Sequence, residues 1–154
     1  MSFELKLDTE TIGQAFTDPP LSVSPDTSIR EVFCLLKQHN RGNILVCDGE
    51  VLVGIFTERD ALRIMAQDAN LEQPISSVMT KNPVVLFQEA TVSKAISMMA
   101  RGGYRRIPVV DSAGVPLGVV KVSGILHYLV EHFPKVIYNL PPEPHHSTEQ
   151  REGA

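Results

Sequence analysis

The chain has 154 residues, 43% of them hydrophobic and 21% charged, with a formal net charge of −4. That balance fits a soluble globular protein and argues against a nucleic-acid binder, which would carry a basic stripe. No apolar run approaches the roughly 18 residues of a membrane span, and Cys34 and Cys47 are too few for a disulfide framework or a zinc site. They read as reduced structural thiols of a cytoplasmic protein.

Taken in chain order, MSFELKLDTE (1–10) lacks the apolar core of a signal peptide and reads as a flexible lead-in. LSVSP (21–25) is a short extended run. SIREVFCLLKQ follows, with Ile29, Val32, Phe33 and Leu36 at the i, i+3, i+4, i+7 spacing of one helix face. Ser28 stands at the N-cap, and Glu31 three residues on predicts a capping box. ILVCDGEVLVGIF is two apolar runs split by Asp48–Gly49, which predicts a hairpin. ERDALRIMAQ closes the unit as a second helix, and Asp68–Glu72 is a short polar link. The order then repeats: VVLFQ (84–88) as strand, TVSKAISMMAR as a helix capped by Thr91, IPVVDSAGVPLGVV as hairpin and SGILHYLVEHF as helix. The remainder, 134–154, is a C-terminal extension ending in a Pro- and His-containing tail expected to be disordered. His145 and His146 in that tail are too loosely held for a metal site, and His127 and His132 read as surface or packing residues.

The repetition is a true internal repeat. Thr11–Met65 aligns with Pro74–Leu129, with one extra residue in the second copy after Asp111. Ile12 meets Ile75, Thr17 meets Thr80, Pro20 meets Pro83, Gly54 meets Gly118 and Leu62 meets Leu126. One copy alone buries too little apolar surface to stand by itself. The expected fold is therefore α/β: tandem β-α-β-β-α copies over 11–67 and 74–133, whose two small sheets pack about a pseudo-twofold axis.

The segments MTKNPVVLFQEATVSKAISMM, YRRIPVVDSAGVPLGVV and GIFTERD resemble CBS domains, named after cystathionine β-synthase, and the whole chain resembles a stand-alone CBS pair, or Bateman module. The resemblance implies a regulatory module with clefts between the copies that hold an adenosine compound such as AMP, ADP, ATP or S-adenosylmethionine. In ligand-binding members a glycine–apolar–apolar–Thr/Ser–x–x–Asp segment contacts ribose and phosphate. It maps here onto Gly54, Thr57 and Asp60. The resemblance places the base against Ser22, Val23 and Ile44, and the phosphate against Arg105 and Arg106 at the opening of the partner copy's strand, with Tyr104 and Pro108 beside them as further ligand-binding residues.

Elementary chemistry agrees with those assignments. A carboxylate accepts two hydrogen bonds from a ribose diol, a hydroxyl at a helix start suits an anion, and adjacent guanidinium groups suit a phosphate. A plain capping box explains Thr57 and Asp60 equally well, and Arg105 and Arg106 also fit a solvated strand start. In the second copy the threonine has become Lys121 and the acid Gly124, so that cleft is expected to be degenerate.

Three functions compete: a nucleotide-sensing module that signals to an effector protein, a ligand-free dimerisation or interaction scaffold, and an enzyme. Nothing in the sequence supports the last, since no P-loop, metal cluster or nucleophile–base pair is legible and no catalytic cofactor is implied. A homodimer is expected through ERDALRIMAQ and the apolar segment running on past Phe133 to Leu140.

Overall fold

The computed structural model describes residues 9–13 and 16–132. The lead-in over 1–8, the segment beyond His132 and the tail histidines lie outside the described residues. In chain order the elements are β1 (Thr17–Asp18), β2 (Ser22–Val23), α1 (Ile29–His39), β3 (Asn43–Asp48), β4 (Val51–Thr57) and α2 (Glu58–Ala66). A 3₁₀ turn (Ile75–Ser77) leads into the second half: β5 (Thr80–Lys81), β6 (Leu86–Phe87), α3 (Val92–Gly102), β7 (Arg106–Val110), β8 (Pro116–Lys121) and α4 (Val122–His132). None of these helices is long and apolar enough to cross a membrane.

The helices start and stop where the sequence chemistry requires. Ser28 Oγ accepts from the Glu31 amide at 3.1 Å, and Thr91 Oγ1 accepts from the Lys94 amide at 3.1 Å, each satisfying a donor the first turn leaves orphaned. Both helices end in a left-handed residue at equivalent repeat positions, Asn40 (φ 54°) and Gly103 (φ 72°), the conformation that returns amides to the last carbonyls. The hairpins form as predicted: β3 pairs antiparallel with β4, and β7 with β8.

The two four-stranded sheets have the orders β2-β3-β4-β5 and β1-β8-β7-β6. Strands β1 and β5 are legible in the structure and were absent from the predicted elements. Each belongs to one copy in sequence and to the other copy's sheet in space. Thr17 and Asp18 pair with Val120 and Val119 of β8, while Lys81 and Thr80 pair with Gly54 and Ile55 of β4. The chain just before each of these strands crosses over as well. The Ile12 amide donates to the Ala90 carbonyl, and the Ile75 amide to the Thr27 carbonyl.

Packing follows the same exchange. Ile12, fully buried, lies in the core of the second copy with Leu86, Val92, Ile107 and Val120. Ile75, also fully buried, lies in the core of the first with Ile29, Val32, Ile44 and Phe56. Burying an isoleucine side chain contributes about 1.5–3 kcal/mol, so each copy's core depends on a side chain sent by its neighbour. A third apolar cluster, Leu45, Ile55 and Val119, joins the two halves.

The exchange explains the repeated glycines. A Cβ at Gly118 would lie 2.7 Å from the Asp18 carbonyl oxygen, and one at Gly54 would lie 2.3 Å from the Met79 sulfur. Both glycines leave room for the incoming strand. Gly54, assigned by resemblance to a ligand motif, is buried in β4, and its identity is set by this packing.

Candidate ligand-binding cleft

The end of β4 and the first turn of α2 present Thr57, Glu58, Arg59 and Asp60 to a cleft of about 830 Å³. The facing wall comes from the other copy: Tyr104 and Arg105, which precede β7, and Arg106 and Pro108 within it. A third wall, Thr80, Pro83 and Val84, belongs to the exchanged strand β5 and the residues after it. The cleft therefore gathers Thr57, Asp60, Tyr104, Arg105, Arg106 and Pro108, six residues singled out in the sequence.

Ser22, Val23 and Ile44 do not line this cleft. Ile44 is fully buried in the first copy's core, and Val23 packs against that core. Ser22 hydrogen-bonds through its side chain to Cys47, whose thiol burial pushes up in pKa while that bond pulls the other way. Their placement follows from the strand exchange. The wall that a base would face beside Asp60 is built by the second copy's leading residues, Pro83 and Val84, which the repeat aligns with Pro20 and Leu21. The signal for this was Thr17 meeting Thr80, but only the topology shows to which copy each threonine is delivered.

Asp60 is 3% exposed, unusually low for a carboxylate. Its Oδ2 accepts from the Thr57 amide at 3.0 Å, the bond of a capping box. Arg63 Nη1 donates to Oδ1 at 3.1 Å and completes an ion pair. Two hydroxyls add longer contacts, Thr57 Oγ1 at 3.3 Å and Thr80 Oγ1 at 3.2 and 3.3 Å to the two oxygens. The capping explanation for Thr57 and Asp60 is thus realised in the structure, and the same carboxylate lines the cleft. Arg63 is committed to Asp60 and, at 2.9 Å, to the Val78 carbonyl.

Arg106 is the cleft cation with a carboxylate partner. Its Nη1 lies 3.1 Å from Glu58 Oε1 across the interface between the copies, and its Nε is buried with no hydrogen-bond partner among the described residues. Gly42 underlies this pair, because a Cβ there would sit 2.6 Å from Glu58 Oε2 and 2.8 Å from Arg106 Nη2.

The pseudo-symmetric position holds a pocket of only about 270 Å³, lined by Asn40, Arg41, Gly42 and Asn43, the repeat counterparts of Gly103 to Arg106, together with Lys121 and Asp18. Lys121 Nζ is held by Asp18 Oδ2 at 2.9 Å, and the Arg41 guanidinium donates to the Pro19 carbonyl. Gly124 does not reach this pocket. Where the first cleft has a threonine and a buried acid, the second has an ion pair and no side chain at the acid's position.

Two packed β-α-β-β-α copies that trade their leading strands, with a cleft between them walled by both, define a tandem-repeat module. The CBS domain family profile matches residues 12–67 and again 75–131, and the chain belongs to that family. CBS domain-containing protein YhcV of Bacillus subtilis is 34% identical over 116 residues, covering 75% of this chain and 82% of that protein. Among solved structures, a CBS domain protein from Pyrobaculum aerophilum complexed with AMP is 25% identical with a TM-score of 0.70, covering 79% of this chain and 98% of that one. The CBS domain pair of protein MJ0100, solved with 5′-methylthioadenosine and S-adenosyl-L-methionine, is 25% identical with a TM-score of 0.70 over 77% of this chain and 98% of that one.

Proposed function

We propose that this CBS pair is a regulatory module that binds an adenosine-type nucleotide in the 830 Å³ cleft and signals its occupancy to an effector protein. The observation that carries this reading is the meeting, in one cleft, of the Thr57–Asp60 turn from one copy with Tyr104, Arg105 and Arg106 from the other. The volume lies within the roughly 300–1,000 Å³ range of small-molecule sites. Relatives of the same architecture were solved with AMP and with S-adenosyl-L-methionine, which supports an adenosine ligand of this class.

The hydrogen bonds at Asp60 favour a ribose. The amide and guanidinium bonds, at 3.0 and 3.1 Å, hold the carboxylate in place. The hydroxyl contacts at 3.2–3.3 Å are long for O–H···O bonds, whose usual distance is about 2.7–2.8 Å. A ribose diol would replace the Thr57 and Thr80 hydroxyls and leave the anchoring bonds intact. Arg105 and the guanidinium of Arg106 would take the phosphate, and Pro83 and Val84 would cover one face of the base. The role is binding, with no chemical step and no catalytic cofactor.

The same full set of partners around Asp60 favours a second reading, a ligand-free scaffold in which the residue only caps α2. Thermal unfolding with AMP, ADP, ATP and S-adenosylmethionine separates the two. A ligand at about 100 times its Kd stabilises the native state by about 2.7 kcal/mol. The sensing role expects a rise with at least one of the four that Asp60→Ala removes, and Arg105→Ala should weaken AMP more than adenosine. No response across the panel leaves the scaffold.

A further inference from the structure

We infer that Glu58 is a specificity-determining residue of this cleft: its carboxylate occupies the place of a ligand's phosphate on Arg106 and sets how strongly the site prefers anionic ligands over neutral ones. The inference rests on the nucleotide reading above and adds a residue that reading leaves without a role.

Three observations carry it. First, Glu58 Oε1 is 3.1 Å from Arg106 Nη1, and the two side chains differ sharply in exposure, 66% for Glu58 and 20% for Arg106. The cation is largely enclosed by the wall, while the acid beside it is open to solvent. An exposed acid of this kind holds its partner weakly, by roughly fivefold at most in an equilibrium, so an incoming oxyanion displaces it readily. Second, the guanidinium is incompletely used. Its Nε is buried with no partner among the described residues, and guanidinium presents five donors in a fork suited to a two-oxygen acceptor. One carboxylate oxygen on Nη1 leaves donors of the fork unused, and a phosphate in the cleft would compete for the same guanidinium. Third, the arrangement exists on one side of the dyad only. The repeat counterpart of Glu58 is Val122, and that of Gly42, whose missing side chain admits the pair, is Arg105.

Glu58 also lines both pockets, as does Arg106, so the pair forms the partition between the open cleft and the smaller pocket. Releasing Glu58 from Arg106 both frees the guanidinium and removes a like charge from the path of a phosphate.

Isothermal titration of the full chain tests this with AMP, adenosine and inorganic phosphate as probes, at low and high ionic strength. Glu58→Gln removes the charge, and Glu58→Ala removes any residual neutral bond to Arg106. Both should bind AMP and inorganic phosphate roughly two- to fivefold more tightly than wild type, with adenosine unchanged and the gain shrinking as salt screens it. In an Arg106→Gln background the Glu58→Gln gain should vanish, the signature of coupling through that guanidinium. Equal affinities for AMP and phosphate in wild type and both Glu58 variants would overturn the inference, as would an equal gain for adenosine. If neither adenosine nor AMP binds any variant, the nucleotide reading falls. Inorganic phosphate then decides the role of Glu58: a gain in the Glu58 variants upholds an anion subsite, and no gain overturns it.

Discussion

Arg106 and Lys121 stand directly opposite each other across β7 and β8, two cations in register on neighbouring strands. Like charges in that position are destabilising. Each is answered by an acid from the other copy, Arg106 by Glu58 at 3.1 Å and Lys121 by Asp18 at 2.9 Å. The centre of the molecule is thus built from cations of the second copy and carboxylates of the first. Asp18→Asn should lower stability by about 1 kcal/mol, the scale of a partly exposed pair. Urea unfolding at low and high salt checks this, because the deficit should narrow as the Arg106–Lys121 repulsion is screened.

Gly118→Ala should be the more damaging of the two glycine substitutions. Its Cβ meets backbone, the Asp18 carbonyl oxygen at 2.7 Å, whereas a Cβ at Gly54 meets the Met79 side chain. Overpacking of this kind costs about 1–3 kcal/mol. Gly118→Ala is expected at the upper end and Gly54→Ala at the lower, with Met79→Ala in the same chain recovering part of the Gly54→Ala loss. Denaturant midpoints of the three variants and the wild type measure the pattern.

Asp60→Asn should destabilise the unliganded protein by about 1–3 kcal/mol, since it weakens the bond from half-exposed Arg63 to a buried carboxylate and disturbs the α2 cap. For a chain of this size that is about 2–4 °C of Tm per kcal/mol. Thr80→Val removes the hydroxyl donated across the copies and should cost about 1 kcal/mol. Scanning calorimetry without ligand reads both.

Alkaline stability should report Tyr128. Its ring is buried edge-on to Phe16 at 4.5 Å, and its hydroxyl donates to Glu10 Oε1. Burial first, then the bond to Glu10 and that residue's charge, push the phenol up to about 12, from an ordinary value of 10.0. The folded state therefore holds this proton more tightly than the unfolded chain does. The contribution is fully present below pH 10 and is lost as pH rises from 10 towards 12. Tyr128→Phe should flatten that segment of the stability-against-pH curve, and absorbance titration of the two proteins should differ by one late-ionising phenol.

A homodimer is expected through the outer faces of α2 and α4. Leu62 and Met65 on α2 are 73% and 58% exposed, and Leu126 and Val130 on α4 are 58% and 51% exposed. Leu62 and Leu126 are repeat counterparts, so the same apolar position is presented once on each copy. Leu62→Glu with Leu126→Glu should give a monomer mass near 17.0 kDa by light scattering where wild type gives twice that.

The helices and hairpins were legible because their signals are local. Ser28 and Thr91 mark helix starts, Asp48–Gly49 marks a turn, and Ile29 and Val32 mark a buried face. The repeat also made the two-copy α/β fold and its resemblance to CBS pairs readable. The partners of Thr17 and Thr80 were not readable, because two-residue strands carry no periodicity and their sheet is chosen by topology. That choice also sets Pro83 and Val84, rather than Ser22, Val23 and Ile44, along the cleft. The pairing of Glu58 with Arg106 spans the two copies in the same way, and no local pattern announces it.

The crossing of the leading segments has a consequence for how two sites come to differ. A lone copy would lack an edge strand and a core isoleucine, so it would complete itself only by trading both with a second molecule. Here the trade is internal, fixed by the covalent link between the copies. Two separate but identical molecules must change both clefts with every substitution. Once joined, they need not. One half can keep Thr57 and Asp60 while the other drifts to Lys121 and Gly124, and the drifted half still delivers Arg105 and Arg106 to the cleft that was kept.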